Sequence, residues 1–283
     1  MPTHSSGESI RHGKAKQALR SLLPQAALNW REVRYFRRYG DVEMHLVEYF
    51  CRRDQDAIDV GANFGGYLHF MRRHARRVIA FEPMPEFVEL LRRKFPRDVI
   101  IEPIALSDRA GTAELYIPMI DGVMTSGCST LSVAALTDYT AHRELKVRMD
   151  RLDNVYGGTA GFIKIDVEGH EQAVLDGAIE TIERCRPRLL VEIEQHRSPG
   201  GMERAKAYFS RLGYRGHYVH RGRLELLENF ALADLQNPAN KPDMTATLRE
   251  RAPVDDYINN FIFLPPDEPQ ETLDRIRKRL ATL

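Results

Sequence analysis

The sequence predicts an α/β fold, an open and mostly parallel sheet with helices on both faces, closed by an antiparallel edge strand near the C-terminus. Three observations predict it. From Asp56 onward, short apolar runs alternate with amphipathic stretches, the pattern of parallel βαβ units. The first run, AIDV, enters the glycine-rich turn GANFGG. The second, VIAF, ends in an acid, Glu82, where doubly wound folds hold a ribose.

Residues 1–13 read as a structureless leader. Lys14 to Tyr39 is basic, with Leu19, Leu22, Leu23, Leu28, Val33 and Phe36 at partly helical spacing, and Pro24 divides it into two short helices. We expect a basic helical extension over 1–45, the main domain over 46–266 and a charged helical tail over 267–283. After the first strand, GGYLHFMRRHA continues as a helix with Tyr67, Phe70 and Met71 on one side. RVIAFEPMPEFVELLRRKF repeats strand, turn and helix, with Pro85 suited to the first helical position and Phe87, Val88, Leu90 and Leu91 facing inward.

DVIIEPIALSD supplies a third strand, and Gly111 introduces TAELYIP as an antiparallel excursion. Met119 to Asp138, rich in Gly, Ser and Thr without periodicity, reads as a mobile loop beside the site. LKVRMDRLD is a short strand and GFIKIDV the fourth core strand. EGHEQAVLDGAIETIERC is a helix or a pair of turns. PRLLVEIEQH is the fifth strand, and MERAKAYFSRLGY is a helix stopped at Gly213. GHYVHRGRLELLENF and YINNFIFLP are the final strands, joined through Leu235 to Met244.

Composition excludes some partners. Lys+Arg 41 against Asp+Glu 40 leaves a net charge of +1, so no global field draws nucleic acid, and no nucleic-acid partner is expected. Cys51, Cys128 and Cys185 are odd in number and far apart, offer neither a disulfide framework nor a Cys-x-x-Cys knuckle, and suit a reducing compartment. The N-terminus lacks a secretory apolar run, and no stretch approaches the ~18 apolar residues of a membrane span. A cytoplasmic protein is expected, with peripheral contact to a membrane-linked acceptor left open. The N-terminal arginines form either a solvated helix face or a docking surface for an acidic or membrane-anchored acceptor.

In DVGANFGG, Asp59 precedes Gly61, and Gly65 and Gly66 stand at the helix entrance. Glycine lets a ligand approach the backbone, and free N–H groups at a helix start hold anionic groups. Ala62 and Asn63 break the Gly-x-Gly-x-x-Gly pattern, which counts against NAD or FAD.

With these segments placed, the chain resembles the FkbM family of S-adenosylmethionine-dependent methyltransferases. The resemblance covers roughly Asp56 to Ile193 and rests on DVGANFGGY, FEPMP, PIALSD, VRMDRLD and IKIDVEGHEQAVLDGA in that order. It implies the class I methyltransferase (Rossmann-like) sheet of seven strands, six parallel and an antiparallel last one. It also implies S-adenosylmethionine as cofactor and O-methylation of hydroxyls, mostly on saccharides or glycosylated metabolites. By the same resemblance, Asp59, Gly61, Asn63 and Gly65 surround the methionine portion, and Glu82 holds the ribose with Pro83 and Met84 beside the adenosine. Ala105, Leu106 and Ser107 lie near adenine.

An alcohol is a poor nucleophile at neutral pH and needs a positioned base or a metal. Asp166 ends the fourth strand and Glu192 lies near the end of the fifth, so both can point into the crevice above the sheet. That pair suits Mg²⁺, a hard cation with oxygen ligands. Asp166 also reads as a helix cap, and Glu168 and Glu171 as first-turn acids complementing the helix dipole. His170, at a helix start that disfavours imidazolium, is a candidate general base beside Asp166. The Thr125 to Ser132 loop, Tyr139 and His142 are candidates for the acceptor wall. The competing readings are an NAD-dependent oxidoreductase and a non-catalytic methyltransferase-like interaction module. The acceptor and the oligomeric state stay open, because specificity resides in variable loops.

Overall fold

In the computed structural model, which describes residues 24–120, 123–124, 129–136, 141–241 and 257–283, the apolar runs pair into one eight-stranded sheet. In chain order, α1 (Gln25–Tyr39) and α2 (Val47–Phe50) precede β1 (Asp56–Val60). Helix α3 (Leu68–Met71) leads to β2 (Val78–Phe81), and α4 (Pro85–Lys94) to β3 (Val99–Glu102). Strands β4 (Ala105–Leu106), β5 (Gly111–Ile120), β6 (Val123–Met124) and β7 (Ala141–Asp150) form a second, four-stranded sheet. Helix α5 (Leu152–Val155) returns the chain to β8 (Ala160–Ile165), and α6 (Glu171–Asp176) and α7 (Ile179–Cys185) connect to β9 (Arg188–Glu192). Then come α8 (Gly201–Arg211), β10 (Arg215–His220), β11 (Arg223–Leu226), α9 (Leu232–Leu235), β12 (Asn260–Leu264) and α10 (Gln270–Leu280).

The main sheet runs β11-β10-β12-β9-β8-β1-β2-β3. β3, β2, β1, β8 and β9 are parallel, and β12 is antiparallel to both its neighbours. Every residue of β1, β2 and β8 is buried, as expected of parallel strands covered on both faces. The pleat divides them: Ile58, Ile163 and Val191 enter one core, and Ala57, Phe162 and Leu190 the other. β2 leaves β1 on one side and β8 adjoins it on the other. The crevice beyond their carboxyl ends is therefore the topological switch point where such sheets bind ligands.

The α/β class and the antiparallel last strand are as expected, but the sheet has eight strands rather than seven. GHYVHRGRLELLENF folds as the hairpin β10–β11, because Arg221 and Gly222 take φ of 48° and 72°, the left-handed pair that a two-residue hairpin turn requires. The antiparallel strand expected at the edge, β12, lies instead inside the sheet between β10 and β9, and β11 is the edge.

The Met119–Asp138 expectation is also corrected. Its described parts belong to structure: β5 runs to Ile120, Tyr116 bridges Thr130, and Val133–Leu136 is a 3-10 turn. Strand β7, expected to be short, spans ten residues against β5. EGHEQAVLDGAIETIERC becomes α6 and α7, interrupted at Gly177, where a Cβ would fall on the Ser107 carbonyl oxygen. Helix α1 starts immediately after Pro24. Helix α10 buries Leu273, Ile276 and Leu280 in the core that holds Val47 and Phe50. The leader, the first basic helix, Thr125–Cys128 of the expected acceptor loop and Tyr139 lie outside the described residues.

Candidate functional site

The crevice begins with two strained loops. After β1, Gly61 and Gly65 adopt φ of 81° and 79° and Asn63, a non-glycine, 50°. A side chain on Gly61 would fall on the Asp166 carbonyl oxygen, so the β1 and β8 loops approach backbone to backbone there. After β8, Glu168 takes φ of 54°, followed by Gly169 at 97°. Left-handed non-glycine residues at two adjoining strand ends are the kind of strain that functional sites retain.

These loops bound a cavity lined by Val60, Gly61, Phe81, Pro83, Ala105, Leu106, Leu115, Leu131, Asp166, Val167 and His170. Six residues chosen from the sequence (Gly61, Pro83, Ala105, Leu106, Asp166 and His170) meet in it. The wall is apolar with few polar groups, the makeup of a small-molecule site. Leu115 and Leu131 come from the second sheet and its bridge, which composition could not reveal.

Glu82 stands at the end of β2, buried. Its Oε2 accepts the Asn63 N–H at 2.8 Å and its Oε1 the Met84 N–H at 2.9 Å. Burial pushes its carboxyl up to about 7, against the pull of the two amides. Each oxygen retains a lone pair. Asp59, 1% exposed, has neither oxygen hydrogen-bonded. Burial raises it to about 6, with Lys164 opposing and Asp166 adding to the rise. Gly65 is set apart from the cavity: a side chain there would meet Leu91 and Phe95, so this glycine serves close packing under α4.

Asp166 follows β8 immediately, and its Oδ2 accepts from Lys164 Nζ at 2.9 Å. It does not cap the helix, since His170 occupies that position. Buried Lys164 lies 4.8 Å from the Tyr67 ring centroid. Burial works against its charge, but Asp166 and Asp59 outweigh it and raise the ammonium above its ordinary range. The Ile165↔Val191 register sets Asp166 beside Glu192. Burial and then Asp166 push Glu192 well above the carboxylate range.

Among the described residues, Glu168, Glu192 and Glu194 each offer a carboxylate oxygen within 4.8 Å of the others, a group that excludes Asp166. Arg197 Nε reaches Glu168 Oε2 at 2.9 Å and Glu194 Oε2 at 2.6 Å, and Asn259 Nδ2 donates to Glu192 Oε1 at 2.7 Å. Tyr257 donates to Glu194 at 3.1 Å. Burial lifts Glu168 to about 8, with Arg197 opposing. Sequence reasoning missed Lys164, Glu194 and Arg197. The signal was the alternation Glu192–Ile193–Glu194, whose acids flank a buried Ile193.

His170 Nε2 lies 3.0 Å from Ser107 Oγ. Burial lowers its pKa, and the charges it senses are Asp108 and Arg109. It lines the same cavity as Asp166, in contact with Ser107. Glu171 is the expected first-turn acid, but buried: its Oε1 accepts from Gly169 N–H at 2.7 Å, and burial raises it to about 7. His142 sits on β7, ring to ring with Tyr116 at 5.3 Å.

A family model described as Methyltransferase FkbM domain matches residues 59–215, more than half of the chain. Among solved structures, the chain is similar to Methyltransferase FkbM from Methylobacillus flagellatus KT, at 14% identity and a TM-score of 0.46, over 76% of this chain and 44% of that one. The chain thus spans less than half the length of that protein. It is also similar to an rRNA methylase from Streptococcus thermophilus, at 8% identity and a TM-score of 0.41, over 79% of this chain and 93% of that one. A Streptococcus mutans protein in complex with SAH shows 10% identity and a TM-score of 0.42, over 79% of this chain and 96% of that one. No curated protein matches the sequence.

Proposed function

Because the chain belongs to the FkbM methyltransferase family, we propose that it moves a methyl group from S-adenosylmethionine to a hydroxyl, on a saccharide or glycosylated metabolite. The observation that carries this reading is the pairing of Glu82, anchored by two amides, with Asp59, a buried carboxylate without a partner, at the switch point. An unsatisfied buried carboxylate is costly unless a donor completes it. The ammonium of the methionine portion would complete Asp59, and ribose hydroxyls fit the free lone pairs of Glu82. Ala105, Leu106 and Pro83 give adenine an apolar slot.

When bound, the cofactor supplies an already electrophilic methyl group. The protein aligns the acceptor, a task that contributes several kcal/mol through orientation (~7 to 11 at best). Asp166 is the group placed to take the hydroxyl proton at its Oδ1, with Lys164 fixing Oδ2. Glu192, Glu168 and Glu194 accept from other hydroxyls of a polyol. We assign His170 to holding Ser107 at the adenine end in place of the base role. The three glutamates offer the hard oxygen character that Mg²⁺ takes, one or two of them sufficing as ligands, with Arg197 as the cation it would displace.

The test is transfer of a labelled methyl group to saccharide and glycolipid extracts, with and without chelator. Label in a hydroxyl-bearing product supports the reading, and activity untouched by chelation removes the metal. Full activity in Asp166→Asn would remove Asp166 as the base. NADH oxidation or tight NADH binding would favour a dehydrogenase.

A further inference from the structure

We propose that the outer face of α1 docks the protein on an anionic lipid surface. Charge in this chain is segregated. Residues 9–40 hold eight Lys and Arg (Arg11, Lys14, Lys16, Arg20, Arg31, Arg34, Arg37 and Arg38) against a single acid, Glu32. The segment is +7, so the remainder of a +1 chain carries −6. A net charge near zero thus conceals a strongly cationic N-terminal segment.

The structure sorts the helix by face. At 3.6 residues per turn, Trp30, Arg31, Arg34, Arg37 and Arg38 fall within an arc of about 120°, and all five are exposed, Trp30 at 57%. The opposite side holds Val33 and Phe36, and Phe36 packs on His69 and against Gly66. Glu32 also turns inward, to Lys94 Nζ at 2.8 Å and His69 Nε2 at 2.9 Å. None of the four arginines pairs with a described acid, so the outer face is cationic throughout.

An exposed indole among arginines is the combination that settles at a headgroup boundary: guanidinium groups meet lipid phosphates, and the indole enters the interface. Single-stranded nucleic acid asks for open aromatic faces along a groove. Here the Arg34 guanidinium lies 4.9 Å from the Trp30 ring centroid, covering one face, and the stripe is on a convex helix. A lipid surface therefore fits better. Through Phe36 and Gly66, the docked helix holds the glycine turn after β1, so docking fixes the catalytic crevice relative to the surface.

Trp30 is the single tryptophan of the chain, so its fluorescence reports on this face alone. Full-length protein is titrated with phosphatidylcholine vesicles with and without phosphatidylserine, and separately with poly(U) RNA. Neither cofactor nor acceptor is present, so the outcome is independent of the methyl-transfer reading. The expected result is a blue-shifted Trp30 emission, quenched by spin-labelled acyl chains, with phosphatidylserine vesicles alone. Replacing Arg31, Arg34, Arg37 and Arg38 by Gln should weaken partitioning about fivefold per residue, and rising salt should reverse binding of the unaltered protein, which tests the charge without relying on the variant. Emission unchanged by phosphatidylserine vesicles, equal with neutral vesicles, or shifted by RNA instead would overturn the proposal.

Discussion

At the scale of the residue, the site is a set of backbone constraints that hold carboxylates out of water. Gly61 takes a left-handed conformation and faces the Asp166 carbonyl without room for a side chain. Gly61→Ala should cost about 1 to 3 kcal/mol of stability, as overpacking does, and abolish S-adenosylhomocysteine binding; urea unfolding and titration read the two effects. Glu82 gives a pH prediction. Its carboxyl is raised to about 7 by burial, and in the proposed role it accepts ribose hydroxyls when ionised. Cofactor affinity should therefore weaken about tenfold between pH 7 and 6 and more steeply below 6, where Asp59 also takes its proton, and Glu82→Gln should flatten the dependence between 6 and 7. His170→Ala should raise the KM for cofactor with little change in kcat, because His170 touches Ser107 and not the acids; a collapse of kcat would restore it as the base.

At the scale of the element, the strands were legible where burial on both faces made continuous apolar runs, as in β1, β2, β8 and β9. They were less legible where one residue decides a turn. Arg221 is not a typical left-handed residue, so the β10–β11 hairpin left no sequence signal beyond Gly222. Gly177 could mark a pause or an end, and only the approach of Ser107 shows why a glycine stands there. The acids at the end of β8 were legible as chemistry, but their partners were not. Arg197 and Asn259 reach Glu168 and Glu192 from distant segments. The same kind of long-range pairing ties the C-terminal segment down: Arg188 on β9 binds Glu268 through two bonds of 2.7 Å and donates to Phe50 O. Arg188→Leu leaves the buried Glu268 carboxylate only Arg52, at 4.0 Å, and should cost about 3 kcal/mol, measured by thermal unfolding; a loss well under 1 kcal/mol would show that the pair is not holding α10.

At the scale of the whole molecule, burial raises several carboxyls toward neutral pH. Glu43 and Glu168 are raised to about 8, and Glu82 and Glu171 to about 7, burial being the first cause in each. A raised carboxyl binds its proton more tightly folded than unfolded. The stability it contributes is complete below its ordinary pKa and is lost as pH rises through the folded value. His45, His74, His170 and His217 are lowered by burial and act below about pH 6.5, so they do not oppose this above pH 7. Stability should fall from pH 7 to 8.5 by about 1 kcal/mol for each group near 8, which lowers the melting temperature by several degrees; a flat or rising profile would contradict the burial of these acids. The central claim is that the crevice over β1 and β2 is a cofactor site built on Asp59 and Glu82. Calorimetric titration with S-adenosylhomocysteine tests it most directly, with NADH as the comparison ligand. Saturable binding of S-adenosylhomocysteine is expected, at least tenfold weaker in Glu82→Gln, and none of NADH; unchanged affinity in that variant, or preference for NADH, would show that Glu82 and Asp59 do not build a cofactor site.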